Sequence, residues 1–591
     1  MREEIMEYRY LKNIKGPDDV KKIPEDQLPE LASEMREALF NRLTKIGGHF
    51  GPNFGVVEIA VALHYVFDSP KDQMVYDVAH QSYPHKMLTG RAAAYIDDEH
   101  FRDVGGFTNP KESEHDMFYI GHTSTSVSLA TGLAKGRDVA GKKGNVIAII
   151  GDGSLSGGEA LEGLDYAGEM NTNLIIVVND NEMSIAENHG GLYKNLAQLR
   201  ESNGTCETNL FRAMGLDYRY VEDGNNVSAL IKAFREVKDT DHPTVVHVHT
   251  VKGKGYPLAE KNKENWHYSI PFNRETGEPL HKWSGESYNS IFAEHIQERI
   301  AADDSIVVVT AAVPGAVGLG KEIREKLGKN YVDVGIAEEQ ATAMSSGIAK
   351  NGGKPIFVTN ATFAQRVYDQ MTQDVSLNGS PVTIILCSAS IFGMGDATHI
   401  GISAIGMFSN IPGIKFLCPT NREEYLAMLD YGIDQTEGPV IIAVPSDGVH
   451  PAEYSFDTDY SGSAKYRICE KGEDIAILAL GDFFGIGKKT AEYIEEQTGK
   501  KVTLVNPRFA TGLDTETLGQ IAADHRIVIT LEDGILDGGF GQKVASFYGK
   551  TDVKVLNYGF ERIFYDGVKA DEVLKDCRIT PELIYEDVKS L

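Results

Sequence analysis

The sequence of 591 residues is poor in everything that would tie it to a membrane, a secretory route or a nucleic acid. No apolar run approaches the ~18 residues needed to span a bilayer. The opening MREEIMEYRYLKNIKGPDD holds no apolar segment of the kind a secretory leader needs. Cysteine is scarce: Cys206, Cys387, Cys418, Cys469 and Cys577 are odd in number and form no CxxC pair. That excludes a disulfide framework or a zinc ribbon and predicts a reducing, cytoplasmic setting. Positive charge is also short, since 58 Lys and Arg against 86 Asp and Glu leave a net charge of −28. Such a surface repels nucleic-acid phosphates and anionic lipid. What is present is a composition 42% apolar and 24% charged, with 60 glycines. The balance is that of a globular chain, and the glycines are suited to tight turns where backbone meets a ligand. At ~150 residues per domain the length predicts three or four domains, and the whole reads as a cytoplasmic enzyme.

Short β-branched runs set the organisation. Asn145–Ile150, Leu174–Val178 and Thr244–His249 alternate with helical stretches, the pattern of a parallel sheet buried on both faces. The rhythm restarts after the polar stretch Glu260–Ser284 with Ser305–Thr310, Pro355–Thr359, Val382–Leu386 and Val440–Val444. It restarts again after Asp457–Arg467 with Asp474–Leu480, Val502–Val505 and Ile527–Leu531. The expectation is three α/β domains with mainly parallel sheets, over 1–285, 286–465 and 466–591.

The most informative segment is Gly151-Asp152-Gly153-Ser154 directly after the first of these runs. A helix expected over Glu159–Met170, a second strand and Asn179-Asp180-Asn181 follow it. A glycine-flanked Asp at a strand's C-terminal end lies where open α/β sheets bind ligands. The glycines let backbone amides approach a phosphate, and the Asp carboxylate offers a hard oxygen to Mg²⁺. A βαβ crossover brings Asn181 beside Asp152, and the carbonyl of Met183 completes a candidate set of metal ligands. A bare GDG is also an ordinary turn; strand, helix, strand and Asn at this separation favour the ion site.

The segment GDGSLSGGEALEGLDYAGEMNTNLIIVVNDNEMSI resembles the thiamine-diphosphate motif of the transketolase superfamily. Within it the chain is similar to the 1-deoxy-D-xylulose-5-phosphate synthase family, on GGHFGPNFGVVEIAVALHYVF (47–67), DVAHQSYPHKMLTGR (77–91), GHTSTSVSLATGLA (121–134), KGKGYPLAEK (252–261), DVGIAEEQATAMSSGIA (333–349) and TFAQRVYDQ (362–370). The resemblance implies a transketolase-like fold whose three domains bind the cofactor diphosphate with Mg²⁺, bind its pyrimidine, and form a C-terminal unit. It implies thiamine diphosphate and Mg²⁺ as cofactors, decarboxylative acyl transfer from pyruvate to an aldehyde acceptor, a 1-deoxy-2-ketose product, and a homodimer.

The resemblance assigns Glu338 as the catalytic carboxylate beside the cofactor pyrimidine, with Glu339 as the alternative, and Phe363 as its stacking partner. His49, His80, His122 and His267 would line the diphosphate and substrate. Gly121 and Ser124 would contact the diphosphate, and Lys261 would add charge. Arg366 would face the donor carboxylate, and His49 and His399 would move protons.

Four positions leave the family pattern. Ser388 and Ser446 stand where the family carries phosphate-binding arginines, Asn360 where it has Tyr, and Asp396 is displaced by one position relative to His399. Bidentate arginine is the usual means of fixing a phosphate dianion. A non-phosphorylated aldehyde or aldose acceptor is therefore the second reading. A transketolase and a non-catalytic paralogue stand further off. A nicotinamide dehydrogenase would need more than Gly481, Gly485 and Gly487, whose spacing is not GxGxxG.

Overall fold

The computed structural model describes residues 8–281 and 285–591. Residues 1–7 and 282–284, where the polar stretch expected at the first boundary ends, lie outside the description. The chain divides into two compact units, Met1–Ser284 with Gly335–Ala337, and Gly285–Val334 with Glu338–Leu591.

The first unit is built on strands β1 (Gln73–Tyr76), β2 (Val146–Gly151), β3 (Ile175–Asp180), β4 (Asp217–Val221) and β5 (Thr244–His249). They are all parallel, in the order β1-β2-β3-β5-β4. β2, β3 and β5 are buried almost end to end, which is why their sequences read as unbroken apolar runs. Helix α1 (Ser126–Val139) precedes β2, and α2 (Gly158–Gly168) joins β2 to β3. β2 pairs with β3 through Ile150 opposite Val178 and Gly151 opposite Asn179. The GDG turn and the Asn-Asp-Asn turn therefore leave the sheet side by side.

The second unit holds two sheets. One contains β6 (Ile306–Thr310), β7 (Tyr331–Asp333), β8 (Lys354–Asn360), β9 (Thr383–Cys387), β10 (Lys415–Leu417) and β11 (Val440–Ala443), parallel, in the order β10-β11-β9-β8-β6-β7. Helix α3 (Glu338–Lys350) leads into β8. The other contains β12 (Arg467–Glu470), β13 (Asp474–Leu480), β14 (Thr503–Asn506), β15 (His525–Ile535) and β16 (Lys554–Phe560), in the order β12-β14-β13-β15-β16 with only β12 antiparallel. Phe416, Leu417 and Cys418 share one apolar cluster with Leu478, Val505 and Phe509, so the two sheets are not separately cored. Among the described residues no helix is long and apolar enough to cross a membrane.

The return of α2 onto its neighbours is tight. A Cβ on Gly168 would stand 1.8 Å from the Met214 carbonyl oxygen. Gly168→Ala should therefore destabilise the first unit by about 1–3 kcal/mol, measured as a lowered Tm; an unchanged Tm would mean that the helix end moves freely aside.

Candidate active site

Asp152 follows β2 and is 1% exposed. Its carboxyl accepts Asn188 Nδ2 at 2.6 Å and the backbone amide of Asn181. Burial, and then the neighbouring Asp180, push its pKa up to about 8. Asp180 fares differently, because Arg200 and His247 Nε2 (2.9 Å) bond it directly and hold it below the usual carboxylate range despite its burial. Asn181 Oδ1, Ser184 Oγ and Asn188 Oδ1 are buried with no hydrogen-bond partner among the described residues. Met183 follows in a short bridge with Glu187. One under-compensated carboxyl beside an orphaned amide oxygen fits a hard divalent cation that keeps most of its ligands from phosphate and water. Among the described residues no three His, Cys, Asp or Glu side chains gather as a metal cluster.

The glycine and serine positions are explained by close approach. A Cβ on Gly153 would lie 3.0 Å from Ser184, and one on Gly157 would lie 2.1 Å from Ser124 Oγ, whereas one on Gly151 would meet nothing within 4 Å. Ser124 is fully buried at φ +72°. Its amide donates to Asp77 Oδ1 (2.8 Å) and its hydroxyl to the Ser154 carbonyl (2.8 Å). The Ser154 hydroxyl is bonded to Asp77 as well. Ser124 and Ser154, expected at the diphosphate, thus also brace the loop, through the Ser124 amide and both hydroxyls. Gly121 is buried and His122 half-buried on the segment that leads into α1.

The expected basic group, Lys261, has a buried neighbour in the same motif. Lys261 is exposed at the end of the short helix Pro257–Lys261. The buried cation is Lys252, 2% exposed, which donates to the Ser184 carbonyl and lies 3.1 Å from His267 Nδ1. Burial lowers its pKa to about 7. Both lysines lie in the same quoted motif, and only burial separates them.

Three of the predicted histidines converge. The ring centroids of His49 and His80 are 5.1 Å apart, those of His49 and His267 5.8 Å, and those of His80 and His267 5.3 Å and stacked. Burial drives the His267 pKa well below its usual value, so its ring is neutral. Asn53, not singled out in the sequence, ties two of them by donating to the carbonyls of His49 (2.8 Å) and His80 (2.7 Å).

In the second unit Glu338 is the first residue of α3 and 4% exposed. Burial raises its pKa to about 7, opposed by the guanidinium of Arg366, whose Nη1 lies 3.8 Å from Oε2. That oxygen has no hydrogen-bond partner among the described residues; Glu339 is only half-buried. Arg366 lies one turn beyond Phe363, whose ring meets His399 edge-on at 5.6 Å. The Phe363 amide in turn donates to the Asn360 carbonyl (3.0 Å) at the end of β8. Glu338, Asn360, Phe363, Arg366 and His399 therefore form one group. Asp396 contributes through its main chain, its carbonyl accepting the amides of His399 (2.8 Å) and Ile400 (3.1 Å). Ser388 stands at φ +54° at the end of β9. Ser446, expected in the acceptor pocket, is engaged by the third sheet: its amide donates to Asp482 (3.1 Å) and its hydroxyl to the Val444 carbonyl (3.3 Å).

A carboxyl whose folded pKa is raised binds more protons than the unfolded chain between pH 4.5 and 7, so it weakens the fold as pH rises through that window. Glu338→Gln should remove this penalty and make the cofactor-free protein more stable at pH 8 by up to about 3 kcal/mol, with little change at pH 4.5. Equal Tm values for variant and wild type at pH 8 would contradict the burial argument.

Comparison with known proteins closes on one family. A family model described as 1-deoxy-D-xylulose-5-phosphate synthase matches residues 11–207. Models of the transketolase thiamine diphosphate binding, pyrimidine binding and C-terminal domains match 124–292, 285–449 and 464–584. The 1-deoxy-D-xylulose-5-phosphate synthase of Shouchella clausii is 35% identical, with 98% of this chain and 98% of that protein covered. The synthase of Alkaliphilus oremlandii is 36% identical over 98% and 99%, and that of Symbiobacterium thermophilum 34% over 98% and 95%. Likeness of this extent, along nearly the whole of each protein, makes the chain a member of the 1-deoxy-D-xylulose-5-phosphate synthase family, whose enzymes use thiamine diphosphate and Mg²⁺.

Proposed function

We propose that the chain condenses pyruvate with D-glyceraldehyde 3-phosphate to give 1-deoxy-D-xylulose 5-phosphate and CO₂. The observation that carries the chemistry is Glu338, a buried glutamate whose pKa is raised to about 7 and whose Oε2 is left without a hydrogen-bond partner among the described residues. The printed names of the relatives support the substrate pair. They do not favour the uncharged acceptor that the missing arginines at Ser388 and Ser446 raised.

In this reading 1–285 binds the diphosphate with Mg²⁺, 286–465 the pyrimidine, and 466–591 is the C-terminal domain. Thiamine diphosphate, when bound, supplies the nucleophilic carbon and accepts the electron pair freed by loss of CO₂. Asp152, Asn181 Oδ1 and the Met183 carbonyl hold Mg²⁺, while Gly151 and Gly153 leave the backbone open to the diphosphate. Glu338 holds and returns a proton at N1′ of the pyrimidine, which a carboxyl titrating near 7 can do in both directions. Phe363 packs on the pyrimidine, and Arg366 neutralises the pyruvate carboxylate. The His49–His80–His267 group, with the His267 ring neutral, exchanges protons at the donor oxygen, and His399 does so at the acceptor carbonyl. A cytoplasmic homodimer completes the reading.

The product test is ¹³C NMR of labelled pyruvate with D-glyceraldehyde 3-phosphate, expected to show 1-deoxyxylulose 5-phosphate; faster turnover of free glyceraldehyde would overturn the phosphorylated acceptor. Asp152→Ala should abolish Mg²⁺-dependent thiamine diphosphate binding in calorimetry, and binding at wild-type strength would remove the metal assignment. Glu338→Gln should bind the cofactor yet exchange its C2 proton at least about 10²-fold more slowly. Slow exchange in Glu339→Gln instead would move the role to the neighbour.

A further inference from the structure

In the third sheet β14 lies on one side of β13 and β15 on the other. The crevice beyond the ends of β13 and β15 is therefore the place where an open α/β sheet takes a ligand. Pairing of Leu480 with Glu532 brings the following residues, Asp482 and Asp533, to its two walls. What enters this crevice is the loop after β9. The Ser390 hydroxyl donates to Asp533 Oδ2 and the Ile391 amide to Oδ1 at 3.0 Å. The Ser390 hydroxyl also reaches Asp482, which accepts the Ser446 amide from the end of β11.

The same loop is held further along. The Ala397 amide donates to Asp566 (3.1 Å), the Gly567 amide to the Gly395 carbonyl (2.9 Å), and the Ile535 amide to the Ile402 carbonyl (3.0 Å). Its turns are closed on themselves as well, since a Cβ on Gly401 would fall 2.0 Å from the Ser388 carbonyl oxygen. Between these ties sits His399, its ring against Phe363. The third sheet thus grips both ends of the segment that presents His399.

We propose that Asp533 is a positioning residue: by binding Ser390 and Ile391 it fixes the His399 loop for the acceptor half of the reaction, and the ligand crevice of the third sheet has been given over to this task. The inference rests on the role assigned to His399 above. Asp533 is 4% exposed and offers both oxygens to the loop, so loss of either partner alters the register of a short, tightly turned segment more than it alters the core.

The test is steady-state kinetics of the full-length holoenzyme. Ser390→Ala should raise the KM for D-glyceraldehyde 3-phosphate by about tenfold, leave the KM for pyruvate and the thiamine diphosphate Kd within twofold, and leave Tm essentially unchanged. Ser390→Thr, which keeps the hydroxyl, should restore the acceptor KM. Asp533→Asn should reproduce the Ser390→Ala effect, and the double variant should be no worse than Asp533→Asn alone; if Asp533→Asn does not fold, the Ala and Thr pair at Ser390 decides. An unchanged acceptor KM in Ser390→Ala overturns the proposal, as does an equal weakening of cofactor binding, which would mark a general loosening. A wild type that forms no deoxyxylulose phosphate overturns the functional reading and this inference with it.

Discussion

Two carboxyl groups meet where β2 and β3 end, and the sheet register leaves them no room to part. Gly151 lies opposite Asn179, so Asp152 and Asp180 emerge side by side, both buried. Two buried carboxylates at this range cannot both be ionised without cations. The protein pairs a guanidinium directly with only one. Arg200 and His247 bond Asp180, whereas Asp152 accepts amide donors, with Lys252 acting on it without a hydrogen bond, and its pKa is pushed up to about 8. That asymmetry makes Asp152 the less compensated of the two carboxyls. Asn181, whose backbone amide bonds the Asp152 carboxyl, also carries a buried Oδ1 with no hydrogen-bond partner among the described residues.

Glu338 follows the same logic in the second unit. The start of a helix normally favours an ionised glutamate. Burial wins here, because the Arg366 guanidinium stands at 3.8 Å rather than in a bidentate pair. A closer arginine would hold the carboxyl ionised and useless as a proton source near neutral pH. A more distant one would leave burial less opposed and the pKa higher still.

The buried strands were legible because burial on both faces writes itself as composition. Thr244–His249 and Asp474–Leu480 agree with their runs at both ends, and the other expected strands agree to within a few residues. The strands that sequence reasoning passed over are mostly at sheet edges, where the constraint is weaker: Asp217–Val221 alternates exposed and buried positions, and Arg467–Glu470 has no buried residue. The candidate site was legible where chemistry suggests a residue type and the fold then brings those residues together, as with Asp152 and Asn181 and with His49, His80 and His267. It was not legible where two equivalent residues compete within one motif, because Lys252 and Lys261 differ only in what the fold later buries. Asn53 carried no signal at all, since its work is to bind two carbonyls that only the fold brings together.

Hydrogen-bond accounting separates contact from brace at the diphosphate end. A motif lists polar residues, but each donor can be used fully only once. The Asp77 carboxylate takes the amides of Ser124 and Ser126 (2.9 Å) and the hydroxyl of Ser154. It thereby pins the first turn of α1 against the GDG loop, and the resulting approach admits only glycine at position 157. These residues recur as a motif because they shape the cradle. The buried oxygens left with no hydrogen-bond partner among the described residues are instead Asn181 Oδ1, Ser184 Oγ and Asn188 Oδ1, and two of these residues bond Asp152 through other atoms, the Asn181 amide and Asn188 Nδ2.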